Sequence, residues 1–167
     1  MPHSKPDYLT SVSNLLEAEV DVIQNKNLVG ERRDQLLDAA QELFIKKGFA
    51  STTIRDICGK SGINQASIYD YVLNKQDILR RLLNRIWFRI SPRLEDLLAN
   101  NAKKNLREIL KIYYMGCWTE KRTGTILAYR SVPHLNETDK KQLHIHERNM
   151  IKALSLYLRK QGKLKKN

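Results

Sequence analysis

The eight residues Gln65-Ala66-Ser67-Ile68-Tyr69-Asp70-Tyr71-Val72 hold the side chains of this chain best suited to reading nucleic acid. A glutamine amide presents a donor beside an acceptor, which matches the major-groove edge of adenine. A serine hydroxyl serves base or phosphate, and alanine is small enough to meet a thymine methyl. Tyrosine hydroxyls commonly bond phosphates, which sets register rather than sequence. Ile68 and Val72 stand four apart and predict an inward anchor, leaving Gln65, Ala66, Ser67, Tyr69 and Tyr71 for the outer surface or its margin. Lys75, just beyond, puts a cation beside helix N-terminal amides, a pairing suited to phosphate. A plain helical hairpin with surface tyrosines would show the same pattern, so on the residues alone both readings stand.

Such residues need a platform, and the flanking sequence supplies one. Leu36, Leu37, Ala40, Leu43 and Phe44 line one face of a helix that Lys46-Lys47-Gly48 should stop. Phe49 is placed to fold back over its last turn. Thr53 and Asp56, three apart, form a capping box with aspartate in place of glutamate. Ile54 and Ile57 face inward, and Ser61-Gly62 ends this short helix. Ile63 is a buried link, and Asn64 caps a second short helix over Gln65–Val72. Asn74 and Asp77 then start a long helix whose apolar face holds Leu79, Leu82, Leu83, Ile86, Trp87 and Ile90, until Pro92 kinks or ends it. Helices of two turns are not stable alone. Two of them across a tight turn, braced by longer neighbours, are the arrangement of a helix-turn-helix, whose second helix enters the major groove.

The remaining pattern is also helical, with no alternating run bounded by hairpin turns. Leu9, Val12, Leu15, Leu16, Val20 and Ile23 predict a helix with an acidic opposite face, either packed on the body or forming an arm toward a partner. Gln24–Gly30 reads as a linker. Leu106, Ile109, Leu110, Tyr113 and Cys117 make a further stripe. Gly124 punctuates, Ile126–Ser131 continues as helix to Pro133, and a last helix runs from about Thr138 to Lys160 with Met150, Ile151, Leu154 and Leu158 at helical spacing. The expected fold is all-α. Residues 1–30 form an N-terminal extension, 31–76 a three-helix helix-turn-helix DNA-binding domain, and 77–167 a short helical regulatory and dimerisation domain.

Composition sets the outer limits. The chain has 167 residues, a net charge of +12 and a hydrophobic share of 41%, the profile of a folded chain with a real core. Residues 1–30 carry two basic and four acidic groups, 31–81 nine and seven, and 82–167 nineteen and seven. The excess charge thus lies in the C-terminal half, and the argument for a polyanionic partner rests on pattern more than on charge. Cys58 and Cys117 lack metal or redox spacing and read as small buried hydrophobes. His144 and His146, two apart, point to different helix faces, so no metal site is expected. No nucleophile with its base and no phosphate-binding loop appears, which argues against an enzyme and a cofactor. The N-terminus lacks a secretory pattern and no apolar run reaches about 20 residues, so a cytoplasmic protein with no membrane partner is expected.

The stretch LLDAAQELFIKKGFASTTIRDICGKSGINQASIYDYVLNKQDIL resembles the N-terminal domain of the TetR/AcrR family of bacterial transcriptional regulators, through Ala-x-x-Leu-Phe, Lys-Gly-Phe, Thr-Thr-Ile-Arg-Asp-Ile and Ile-Tyr-x-Tyr-Val followed by Asn-Lys. The resemblance covers about a third of the chain. It implies that Thr53 and Arg55 touch backbone or flanking groove, that Gln65, Ala66 and Ser67 read bases, and that Tyr69, Tyr71 and Lys75 grip phosphates. Cys58 stands where the family usually has alanine, Gly59 weakens the first short helix, and Asn64 replaces a commoner serine cap. The family implies a homodimeric repressor on a double-stranded operator, released by a small-molecule effector. YRSVPHLNETDKKQLHIHER is weakly similar to a subgroup that responds to acyl-CoA thioesters, matching at Tyr129, Arg130, Leu135, Glu147 and Arg148 but not at Ser131 and Val132. A basic C-terminal half suits such an anionic effector, or is simply a solvated face. Trp87, Tyr113, Tyr114, Trp118 and Tyr129, with Arg130, are candidate pocket residues, though any single aromatic here is more often core than ligand contact. The family dimerises through two final helices and only one is expected here. A truncated helical interaction protein with weak or non-specific DNA binding is therefore the alternative.

Overall fold

The computed structural model describes residues 14–20, 26–90, 104–115 and 122–160. Among them there is no strand. Six α-helices follow in order: α1 (Lys26–Lys47), α2 (Ile54–Ser61), α3 (Lys75–Leu83), α4 (Leu106–Met115), α5 (Arg122–Ser131) and α6 (Glu137–Lys160). A 3₁₀ turn, Ile68–Asp70, lies between α2 and α3; a second, Val132–His134, lies between α5 and α6. From Asn84 to Ile90 the α3 helix continues in π-helical register.

The helix stops are those the residues dictate. After Lys46 and Lys47, Gly48 turns left-handed at φ 85° and donates its amide to the Phe44 carbonyl at 2.9 Å. Phe49 folds back so that its ring meets Phe44 edge-on at 5.1 Å. The Thr53–Asp56 box caps α2 in both directions, and Gly62 ends it at φ 70°. Asn74 caps α3 through the Asp77 amide.

The core gathers Leu36, Leu37, Ala40 and Phe44 from α1, Ile57 and Cys58 from α2, and Ile78, Leu79, Leu82 and Leu83 from α3. Burying each large apolar side chain among them contributes about 1.5–3 kcal/mol. Helix α1 packs against α2, α3 and α5, and the π-helical segment packs against α5. The corner between α5 and α6 adds Leu135 to the same core. It is fastened to α3 by Arg80 on Asp139 at 2.8 Å and by the Gln76 amide on the His134 carbonyl at 2.9 Å. Tyr157 of α6 donates its hydroxyl to the Lys104 carbonyl at 2.9 Å, just ahead of α4.

Several expectations are corrected. The helix expected over Leu9–Ile23 is absent from its described part: residues 14–20 are not helical. Leu15 is 1% exposed and its neighbour Leu16 is 83% exposed, so the two side chains point to opposite sides. Helix spacing misled here because backbone groups of this segment bond to side chains of α3 and its continuation, not to one another. The linker expected at Gln24–Gly30 is, from Lys26 on, the first turns of α1. Gly124 lies inside α5 and does not punctuate it; a Cβ there would meet Ile86 at 3.3 Å, so the glycine permits close approach to the π-helical segment. On α6 the buried positions include Leu143, Ala153 and Tyr157, while Ile151 is exposed. Pro92 and Cys117 lie outside the described residues.

Candidate nucleic-acid interface

The reading segment is presented as expected and built differently. Ile68 and Val72 are fully buried, Gln65, Ala66 and Tyr69 are exposed, and Ser67 and Tyr71 lie half-buried at the margin. In place of an α-helix over Gln65–Val72 there is a run of tight turns centred on the 3₁₀ residues Ile68–Asp70. The Ser67 amide donates to the Asn64 carbonyl at 3.0 Å, that of Asp70 to Ser67 at 3.1 Å, and that of Tyr71 to Ile68 at 3.0 Å, all at a three-residue spacing. The cause is local. Asn64 does cap the segment, its side-chain oxygen accepting the Ala66 amide two residues on at 3.0 Å, so the tightening comes from the residues after the cap. With Ile, Tyr and Asp following, little favours a wider helix, and one α-type bond, Val72 to Ile68 at 3.2 Å, closes the segment.

Side chains far away in sequence hold the segment's ends. Arg33 of α1 donates Nε to the Tyr71 carbonyl at 3.0 Å, and Gln35 donates Nε2 to the Ser61 carbonyl at 2.8 Å. Asp77 accepts the Leu73 amide at 3.1 Å. Arg33 and Gln35 are supporting residues that sequence reading missed, and Asp77 was read only as part of the α3 cap. Arg33 and Gln35 look like solvated positions of an amphipathic helix, and only their contacts distinguish them. Burial lowers the pKa of the Arg33 guanidinium, as does repulsion from Arg81, while Glu17, Asp77 and Asp34 act the other way.

Thr53 and Lys75 are engaged within the protein. The Thr53 hydroxyl donates to Asp56 Oδ2 at 2.6 Å and accepts the Asp56 amide at 3.1 Å. Lys47 sits on the same Asp56 carboxylate at 2.7 Å and, with Thr53, holds its pKa well below the usual range. Lys75 turns inward: Nζ donates to the carbonyls of Thr52 at 2.8 Å, Phe49 at 3.0 Å and Ala50 at 3.4 Å, and lies 4.5 Å from the centre of the Phe49 ring. Burial lowers its pKa. An ammonium has three protons, and these three carbonyls take them, so a phosphate would have to compete with the loop. Arg55 is different: on the first turn of α2 it is exposed, with no ion pair among the described residues. Lys47, Lys60, Arg81 and Arg85 are all paired with carboxylates. Asp70, exposed on the reading segment itself, repels phosphate, and its oxygens can accept from a cytosine amine.

The residues expected to line an effector pocket are partly assembled. Trp87 is half-buried against the core and meets Tyr129 edge-on at 6.2 Å. Tyr129 and Tyr114 are 63% and 57% exposed, and Arg130 is exposed. Tyr113 lies on α4 with its side chain outside the described residues, as is the whole of Trp118. Among the described residues no His, Cys, Asp or Glu cluster could hold a metal ion, and no helix is long and apolar enough to cross a membrane.

This architecture has relatives. Residues 36–82 match the family model described as bacterial regulatory proteins, tetR family. The chain is similar to the HTH-type transcriptional regulator HbdR of Aromatoleum sp. (strain CIB), 30% identical over 122 residues, covering 71% of this chain and 52% of that protein. It is 31% identical over 74 residues to the HTH-type transcriptional repressor KstR2 of Mycobacterium tuberculosis (strain ATCC 25618 / H37Rv), covering 44% of this chain and 37% of that one. To the HTH-type transcriptional regulator TtgR of Pseudomonas putida it is 34% identical over 65 residues, or 39% and 31%. The chain thus spans about half the length, or less, of these relatives in the matched regions.

Proposed function

The chain carries a TetR-family helix-turn-helix domain, and from that premise we propose that it is a sequence-specific DNA-binding transcriptional regulator of the cytoplasm, a ligand-responsive repressor acting as a homodimer. The observation that carries this reading is the short segment whose apolar anchors, Ile68 and Val72, are wholly buried while Gln65, Ala66 and Tyr69 face solvent. Gln65 and Ala66 supply base contacts, Ser67 base or phosphate contacts at the margin, and Tyr69 and Tyr71 phosphate contacts. Arg55 adds the charge that neutralises a phosphate. In a two-fold dimer the two segments enter successive major grooves about 34–36 Å apart, and an effector acts by changing that spacing. The effector is a small anionic or apolar molecule held near Trp87 and Tyr129.

Fluorescence-anisotropy titrations test this at two salt concentrations, with duplexes selected from a random pool against unselected duplex. Wild type should prefer the selected duplex. Tyr69→Ala should weaken binding to every duplex, and Gln65→Ala should erode the preference. Equal, steeply salt-dependent binding to all duplexes would reduce the protein to a polycation on a polyanion and sink the reading.

A further inference from the structure

The segment 14–20 makes contacts that a loose tail would not. Leu15 is buried, and its amide and carbonyl are both bonded by one side chain, Asn84, at 2.8 and 2.9 Å. Asn84, itself fully buried, also donates to Glu17 Oε1 at 2.7 Å. The Ala18 amide donates to Asp77 Oδ1 at 2.9 Å, and its carbonyl accepts from Arg81 Nη2. Arg81 further donates Nη1 to Glu17 Oε2 at 3.0 Å and Nε to Asp77 Oδ2 at 2.9 Å. Asp77, Arg81 and Asn84 lie on one side of the helix that follows the reading segment, and each is 4% exposed or less. Polar groups this buried are costly without partners, and the N-terminal segment supplies partners to all three.

The same cluster reaches the reading segment by two routes. Asp77, which takes the Ala18 amide, also takes the Leu73 amide. Arg33, which holds the Tyr71 carbonyl, is repelled by Arg81 and attracted by Glu17 and Asp77. Arg81 is thus shared between two carboxylates, Asp77 and Glu17, the second from the N-terminal segment. Without Glu17, Arg81 falls to Asp77 alone, which already serves Leu73. Asp77 drawn toward Arg81 releases the Leu73 amide at the end of the segment that carries Tyr69 and Tyr71.

We propose that residues 14–18 are a working part of the reading head, and that Glu17 is a positioning residue that sets the pose of the Gln65–Leu73 segment through Arg81 and Asp77. This rests on the DNA-binding reading above. Base contacts are short-ranged and need the pose, whereas attraction of cations to phosphates does not. Loss of Glu17 therefore lowers specific affinity and spares non-specific affinity.

The test uses the full chain as wild type, Glu17→Ala and Glu17→Gln, held well below each melting temperature. Amide hydrogen exchange across residues 64–73 reads the pose without DNA. Anisotropy against selected and unselected duplexes reads its consequence. In Glu17→Ala, exchange at Leu73 and its neighbours should quicken, and affinity for the selected duplex should fall roughly tenfold or more, with the unselected duplex within about twofold. Glu17→Gln keeps an acceptor for one of Asn84 and Arg81 and loses the charge, so it should fall between, and it carries the test if the alanine variant does not fold. Exchange that rises only at residues 14–20, or affinity lost equally for both duplexes, would overturn the proposal. A wild type that prefers no duplex would end the DNA reading instead, and the exchange measurement would still decide whether residues 14–18 position the Gln65–Leu73 segment.

Discussion

Replacing Lys75 with methionine separates two roles for this cation. Methionine keeps the stem over Phe49 and removes the ammonium. The structure gives Nζ two good bonds, to Thr52 at 2.8 Å and Phe49 at 3.0 Å, and a weak one to Ala50 at 3.4 Å. A hydrogen bond from a charged group contributes about 1.5–3 kcal/mol, and the ring contact about 0.5–1 kcal/mol. Against these stands the desolvation that lowers the Lys75 pKa; rotamer entropy largely cancels, because lysine and methionine lose similar amounts on being held. A net loss of about 2 kcal/mol remains. For a chain of this length that lowers Tm by roughly 4–8 °C. Thermal melts followed by circular dichroism measure it, with a salt series of DNA titrations on the same samples. If the loop carbonyls hold the ammonium, the slope of log affinity against log salt should barely change. A Tm within about 1 °C of wild type, with the slope reduced by about 0.9, the share of one phosphate contact, would refute the loop tie and restore the phosphate role.

Arg55→Ala should show the reverse signature: Tm nearly unchanged, affinity lower for all duplexes, and the salt slope smaller by about 0.9 in the same titrations. Asp56 gives a pH signature. Its pKa is lowered from 3.8 by Lys47 and Thr53, so its contribution is present above that value and lost as pH falls through the folded-state value. Asp56→Asn should be less stable than wild type at neutral pH, and the gap in urea midpoints should narrow as the pH drops below about 4; a constant gap would mean that the capping box does not depend on the carboxylate charge.

The head is legible in the sequence because its signals are local. A capping box needs only Thr53 and Asp56, a left-handed stop needs only Gly48 or Gly62, and the burial of Ile68 and Val72 follows from their spacing. Each appears in the structure where the residues put it. The inward turn of Lys75 is not legible, because sequence gives a charge and not the direction of its side chain. Nor is the 3₁₀ form of the reading segment, because an asparagine cap opens a 3₁₀ turn and an α-helix alike.

What sequence alone determined was the helical class, the order of α1, α2, the reading segment and α3, and the burial of Ile68 and Val72. These follow from periodicity, caps and turns within a few residues of one another. Only the tertiary structure decided that Leu15–Ala18 runs extended against α3, that Arg33 and Gln35 hold carbonyls of the reading head, and that Asp77, Arg81 and Asn84 form a buried polar cluster. Their partners lie dozens of residues away along the chain. A polar side chain reads as solvated until folding brings up the backbone group or charge that it exists to meet, and that pairing is decided by the geometry of the packed helices.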